Sequence, residues 1–199
     1  MVTPFQVKNI LVGAGHMYLN PTNSTAFNPS MFTDVGFTVD GVEISLEPDI
    51  IDVMVDQLGD AAKLIHNTTK VMLKTTLAES TLENLAVQWG YAGTTSVTSN
   101  NITFAANISG DGLTNDKVFN WSAFASAEAL EKSAQFQGHN PQGFPRTYVC
   151  TRVVQVNAAA HSYKRGAATL FPVEFRILPN SANTGYEYGT ITDSWSAYG

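Results

Sequence analysis

The feature that most restricts this chain is Asp40-Gly41, set inside the alternating run Val35-Gly36-Phe37-Thr38-Val39-Asp40-Gly41-Val42-Glu43-Ile44-Ser45-Leu46. Asp-Gly is the preferred pair for a two-residue type I′ turn, which needs positive φ at both central positions. A chain folded back about it pairs Val39 with Val42, Phe37 with Ile44 and Val35 with Leu46. All six side chains then share one face, and Thr38, Glu43 and Ser45 share the other. The pattern predicts a hairpin over 35–46 with one buried face and one wet or interfacial face, ended by Pro48.

Period-two alternation continues along the chain and predicts further strands. Ile51, Val53 and Val55 alternate with Asp52, Met54 and Asp56, and Val71, Leu73, Thr75 and Leu77 alternate with Met72, Lys74 and Thr76. Ile102, Phe104, Ala106 and Ile108 form one face of a strand ending at Gly110-Asp111-Gly112. The run Arg146–Val156 is β-branched and aromatic, with apolar residues of both parities, as suits a strand covered on both sides. Phe171, Val173, Phe175 and Ile177 alternate with Pro172, Glu174 and Arg176, and Pro172 puts that strand's start or an edge at this point.

One helix interrupts the strands, over 80–90. Ser80-Thr81-Leu82-Glu83 reads as a capping box, and Leu82, Leu85, Ala86 and Trp89 fall on one stripe before the stop at Gly90. Ala127–Gln135 has helical propensity but a poor stripe, so it reads as a weak helix or a strand entry. Asn20–Met31 and Gly138–Pro145 read as irregular. The fold class is mainly β with one flanking α-helix, in packed antiparallel sheets of sandwich or barrel type. The 199 residues suit a single domain over 1–199.

Composition narrows the function. Charged residues are only 14% of the chain, against roughly 25% in an ordinary soluble domain. Such a surface loses little desolvation energy when another protein covers it; it also suits a β domain with a neutral polar skin. The net charge of −6 and scattered Lys and Arg argue against a sequence-reading nucleic-acid binder. No stretch approaches the ~20 apolar residues of a spanning helix, so no membrane insertion is expected. Met1–Val12 carries no secretory signal pattern. Cys150 is the only cysteine, which excludes an internal disulfide and fits a small core residue in a reducing cytoplasm.

The chemistry-bearing motifs are weak. Val12-Gly13-Ala14-Gly15 lacks the third small residue of a dinucleotide loop, with Tyr18 in its place and Pro21 close behind. His16, His66, His139 and His161 lie far apart with no zinc spacing. No Gly-x-Ser-x-Gly elbow is present, although a triad assembled from distant parts stays open. Asp111–Asp116 reads as a turn, because it lacks the ligand alternation of a calcium loop. Glu43, Glu47, Asp52, Asp56 and Asp60 read as a solvated or lumen-facing acidic face, and Trp89, Trp121 and Trp195 are too dispersed for a sugar platform. No catalysis, cofactor or metal is expected.

The order of these segments resembles the tail tube (major tail) proteins of long-tailed bacteriophages. The resemblance is carried by Val12-Gly13-Ala14-Gly15-His16-Met17-Tyr18-Leu19-Asn20-Pro21, by the segment Asp34–Ile44, and by Val55-Asp56-Gln57-Leu58-Gly59. It continues through Leu77-Ala78-Glu79-Ser80-Thr81-Leu82-Glu83-Asn84-Leu85, Phe171–Pro179 and Tyr188–Asp193, over nearly the whole chain. It implies a structural virion protein whose hexameric rings join their inner sheets into a β-barrel and stack into a tube. The tube would be assembled in the bacterial cytoplasm and reside in the virion tail. Its partners would be copies of itself and the tape-measure, tail terminator and baseplate or tail-tip proteins, with DNA passing non-specifically through the bore. In that setting Asp40, Gly41, Ser80 and Glu83 shape the fold. The arm 1–5 and the loop 20–34, with Pro21, Asn28 and Pro29, are candidates for ring-to-ring contact, and Glu43, Asp52 and Asp56 for acids lining the bore. No C-terminal immunoglobulin-like domain is expected after Gly199. Two other readings stand beside it, a type VI secretion-like tube protein and a stand-alone β-sandwich ligand-binding module with a clustered aromatic surface.

Overall fold

The structure, a computed structural model, describes residues 15–20, 33–54, 61–91, 102–105, 116–119, 129–157 and 160–194. Strands β1 (His16–Asn20), β2 (Thr33–Asp34), β3 (Thr38–Met54) and β4 (Ala61–Leu77) precede one helix, α1 (Leu82–Gln88). After it come β5 (Ile102–Ala105), β6 (Asp116–Phe119), β7 (Glu131–His139), β8 (Pro145–Gln155), β9 (Phe171–Ile177) and β10 (Thr190–Asp193). Eight strands form one open antiparallel sheet in the order β2-β1-β7-β8-β9-β4-β3, with β10 paired to β8; β5 and β6 form a separate two-stranded ribbon. The mainly β class with one helix therefore holds. Eight of the ten described strands make one large sheet, and it does not close into a barrel.

The core lies where the alternation is cleanest. Phe171, Val173, Phe175 and Ile177 of β9 are buried on one face, opposite Leu77, Thr75, Leu73 and Val71 of β4. Met17, Leu19, Ala134, Cys150 and Val153 extend this cluster across the sheet, and Val87 of α1 packs on it. Each fully buried large side chain here contributes about 1.5–3 kcal/mol. Pro172 sits at the second residue of β9, where β4 is the only ladder partner, because β8 joins β9 only over Phe175–Ile177. Strand β8 carries β9 and β10 along the same side, one at each end, and β10 is pinned by a forked pair from Arg146 to Asp193 at 2.5 and 2.7 Å. That hydrogen-bonded guanidinium holds the Asp193 carboxyl below its ordinary range.

Several sequence expectations are corrected. Asp40 and Gly41 do take positive φ, 62° and 75°, but they form a bulge inside β3 rather than a hairpin turn. Val39 pairs with Thr76 and Val42 with the adjacent Thr75, so the two valines face opposite ways and the inserted pair bends the strand. The Thr75 hydroxyl donates to the Gly41 carbonyl at 2.7 Å and holds the bulge. The apolar strand β4 offers residues 38–46 a ladder already supported by β9, which folding back on themselves would not. Phe37 is consequently 78% exposed rather than buried. Pro48 does not end the strand; β3 runs on to Met54 as an edge, absorbing the separate strand expected at 51–55 over its described part. A proline is tolerated there because one side of an edge strand has no ladder to complete.

The helix begins one residue later than its capping box implied. Thr81 is the N-cap, and its hydroxyl accepts from the Asn84 backbone N–H at 3.2 Å; Ser80 is exposed outside the helix. Glu83, displaced from the capping position, pairs with Lys117 of β6. The buried face is Asn84, Ala86, Val87 and Gln88, so of the expected stripe Ala86 is fully buried while Leu82, Leu85 and Trp89 are half-buried. Gly90, at φ 84°, closes the C-terminus in a Schellman motif, with Gly90 N–H donating to Val87 and Tyr91 N–H to Ala86. Where 127–135 left two readings, 131–139 is strand β7, and 140–144 makes the turn into β8 around Asn140, whose Oδ1 accepts from Gln142 and Phe144 N–H.

Lys132 is the least expected core residue. It ends the row Val71–Ile177–Val153–Lys132 and is 1% exposed, and its Nζ meets no hydrogen-bond partner among the described residues. Burial pushes its pKa down to about 7. Between that value and the ~10.4 of an unfolded lysine, the unfolded chain binds more protons, so stability climbs as pH rises and is flat below 7. Lys132→Met should raise the denaturation midpoint at pH 6 and remove the wild-type climb between pH 7 and 10. Equal slopes in chemical denaturation series of the two proteins would contradict this. For the cap, Thr81→Ala should cost about 1 kcal/mol while Ser80→Ala costs almost nothing, read from paired melting curves.

Candidate assembly interface

Strands β3 and β4 each have 17 residues, whereas β9 supports β4 only over Val71–Leu77. The ladder from Glu47 to Met54 and from Ala61 to Lys70 therefore leaves the sheet as a two-stranded ribbon, with most of its side chains exposed. Its apolar side chains are conspicuous. Leu46, Met54 and Leu64 are each more than 60% exposed, and Ile50, Ile51 and Ile65 are exposed as well. An isolated two-stranded ribbon is at best marginal in water, and contiguous exposed apolar residues mark interaction sites.

Register sorts these residues by face. From Val42 to Met54 β3 alternates without interruption, because the later bulges place their extra residues, Asn67 and Ala62, in β4. One face carries Val42, Ile44, Leu46, Ile50 and Met54, with Leu64 opposite Asp52, and continues outward from the core side of the sheet. The other carries Glu43, Ser45, Glu47 and Asp49 near the base, then Ile51 opposite Ile65 and Val53 opposite Lys63 near the tip. Glu47 pairs with Lys70 at 3.7 Å, and Lys74 pairs with Glu174 at 3.3 Å. Glu43 and Asp52 are both exposed but lie on opposite faces, so they do not line one surface together. Asp56, Pro21, Asn28, Pro29 and the arm 1–5 lie outside the described residues.

The base of the ribbon is clamped by residues that pattern reading passed over. Glu79 accepts the Phe37 N–H at 3.1 Å, and Ala78 N–H donates to the Phe37 carbonyl at 2.8 Å. The Asn84 amide donates to the Val35 and Glu79 carbonyls, at 2.9 and 3.0 Å. Gly36, at φ 81°, lies so close to the Glu79 carboxylate that any Cβ would overlap it. Two motifs that are separate in sequence, Val35-Gly36-Phe37 and Leu77-Ala78-Glu79, thus meet at one joint. Composition hides this, because a buried asparagine in a helix and a glutamate beside it look like solvent-facing residues.

The remaining candidates scatter. No three His, Cys, Asp or Glu side chains converge on a metal position among the described residues. His16 approaches Asp34 at 3.5 Å, His66 contacts Thr69, and His161 stacks edge-on against Phe171 and Tyr163. Trp89, Tyr91 and Phe119 join that aromatic group, which distant sequence positions had concealed. Its contacts are mostly edge-to-face, with Tyr163 exposed and Phe171 buried, so the rings pack on one another rather than lay out a flat platform. Trp121, Trp195 and residues 111–115 lie outside the described residues.

No protein-family model matches the chain, and no curated protein matches it. No helix among the described residues is long and apolar enough to cross a membrane. Cys150 is buried, and burial pushes its thiol up to about 12. It should resist a maleimide at pH 8 in the folded protein and react fully once denatured, a contrast readable by mass spectrometry. Rapid native labelling would place it at an accessible site.

Proposed function

We propose that this chain is a structural protein that assembles with copies of itself into hexameric rings, stacked as the tail tube of a long-tailed bacteriophage. The observation that carries the reading is the apolar ribbon standing off an open sheet edge. A chain with 14% charged residues displays Leu46, Ile50, Ile51, Met54, Leu64 and Ile65 on an arm that the other described residues leave exposed. Self-association would bury that arm and protect edge β3, whose free backbone groups otherwise invite uncontrolled pairing. The resemblance in segment order supplies the ring, the tube and the partners, namely tape-measure, terminator and tail-tip proteins, with a location in the virion tail. The ribbon supports the need for a protein partner.

The stand-alone binding module draws support from one observation, the exposed Tyr163 beside the His161–Trp89 aromatic group. The ribbon favours assembly, because it exposes more apolar surface than a lone tyrosine does. Purified protein imaged by negative stain across rising concentrations should show six-fold rings or tubes of uniform diameter. A monomer at every concentration, salt and temperature would overturn the reading.

A further inference from the structure

Lys132 is the second residue of β7, and the sheet holds that end of the strand by little. Strand β1 reaches β7 only from Ser133 to Gln137, so among the described residues Glu131 and Lys132 have β8 alone beside them. Their short ladder, to Val154 and Val153, is separated from the rest of β7 by a bulge, where Ser133 stands against both Thr151 and Arg152. Ala129 and Leu130, immediately before them, are exposed. The Arg152 guanidinium spans this end. It forks onto the Glu131 carboxylate at 2.9 and 2.5 Å and donates to the Pro179 carbonyl at 2.7 Å.

The Lys132 amine lies beneath this end in the core, and no charge among the described residues answers it. Along its row stand Val153 of β8, Ile177 of β9 and Val71 of β4, and the core cluster adds Met17 and Leu19 of β1 and Val87 of α1. The titratable side chains packed in or against that cluster are Cys150, whose thiol burial pushes up to about 12, and Tyr188, whose hydroxyl donates to the Thr69 carbonyl at 3.3 Å. Neither supplies a carboxylate. The adjacent charges, Glu131 and Arg152, are engaged with each other. An ammonium buried without a counter-charge is strongly unfavourable, whereas a neutral amine on its methylene stem packs as an apolar side chain does. We infer that the first two residues of β7 are a proton-operated latch: with a neutral amine Lys132 closes the core, and on taking a proton Glu131 and Lys132 leave β8 as far as the bulge and carry the ammonium into water. The opening stays local because the bulge already interrupts the ladder, and it gives up the Glu131–Arg152 pair. Burial, by lowering the amine's pKa to about 7, sets the change near neutral pH. The inference is independent of the self-assembly reading.

The test is hydrogen–deuterium exchange of the dilute full chain between pH 6 and 9, with exposure times scaled to the intrinsic exchange rate at each pH. A peptide covering 129–133 should open about tenfold more for each unit by which pH falls from 9 to 7 and level off below, while a peptide covering 171–177 stays protected. Lys132→Met should keep 129–133 closed at every pH. Glu131→Gln, which weakens the pair with Arg152, should raise opening at every pH and keep the same slope. Protection at 129–133 that does not vary with pH would overturn the latch, as would an equal loss in Lys132→Met. A loss shared evenly by 129–133 and 171–177 would also overturn it, since the amine would then report only on unfolding of the whole sheet.

Discussion

Strand β4 outruns its support. Its C-terminal half, Val71–Leu77, is gripped on one side by β3 and on the other by β9, with Leu73, Phe175, Val173 and Leu77 fully buried. Among the described residues its N-terminal half pairs with β3 alone. Hydrogen bonding carries the ladder outward, since each added pair satisfies backbone groups that would otherwise need water. Burial does not follow it. The residues that would normally cover one face of a strand are exposed instead, and this mismatch between ladder length and sheet width creates the arm.

The arm is useful only if its base is rigid, and the base is where the polar interactions concentrate. Glu79 and Asn84 hold the chain at Val35–Phe37 through two hydrogen bonds, Asn84 also donates to the Glu79 carbonyl, and the Ala78 N–H adds a backbone bond to Phe37. Thr75 fixes the bulge at Gly41 from the other side. Asp40 and Gly41 are an even insertion, so the alternation of β3 passes through the bulge unchanged, and the apolar set starting at Val42 points toward the core and then continues along the ribbon. An insertion of one residue would exchange the two faces.

The helix shows how the same segment serves packing and positioning. Its buried polar residues, Asn84 and Gln88, each donate to a carbonyl outside the helix. Asn84 bonds to Val35, and the Gln88 amide donates to the Ala160 carbonyl at 3.0 Å, while Gln155 donates back to the Gln88 carbonyl at 3.2 Å. These bonds tie α1 to the start of β3, to the end of β8 and to the segment leading into β9. Lys132, by contrast, keeps its amine in the core without a partner among the described residues.

Much of this was legible in the amino-acid order. The alternations at 71–77, 146–156 and 171–177 were read as strands and are strands, because a period of two with β-branched and aromatic residues has few other stable outcomes. Gly90 stops the helix as its position implied. The left-handed backbone at Asp40 and Gly41 was legible too, since it is a local property of that dipeptide. Whether such a pair reverses a chain or only kinks it is settled by what lies alongside, and no local rule says that β4 will. Thr81 displaced Ser80 as the cap because both side chains can cap, and packing Asn84 onto Val35 selected the register. The sequence by itself determined the strands at 71–77, 146–156 and 171–177, the helix and the left-handed backbone of Asp40 and Gly41, which depend on neighbours one to four residues away. The tertiary structure alone decided that 35–46 joins a long edge ladder and that Ile50, Ile51, Leu64 and Ile65 face water. Exposure belongs to the width of the sheet, which no single segment encodes.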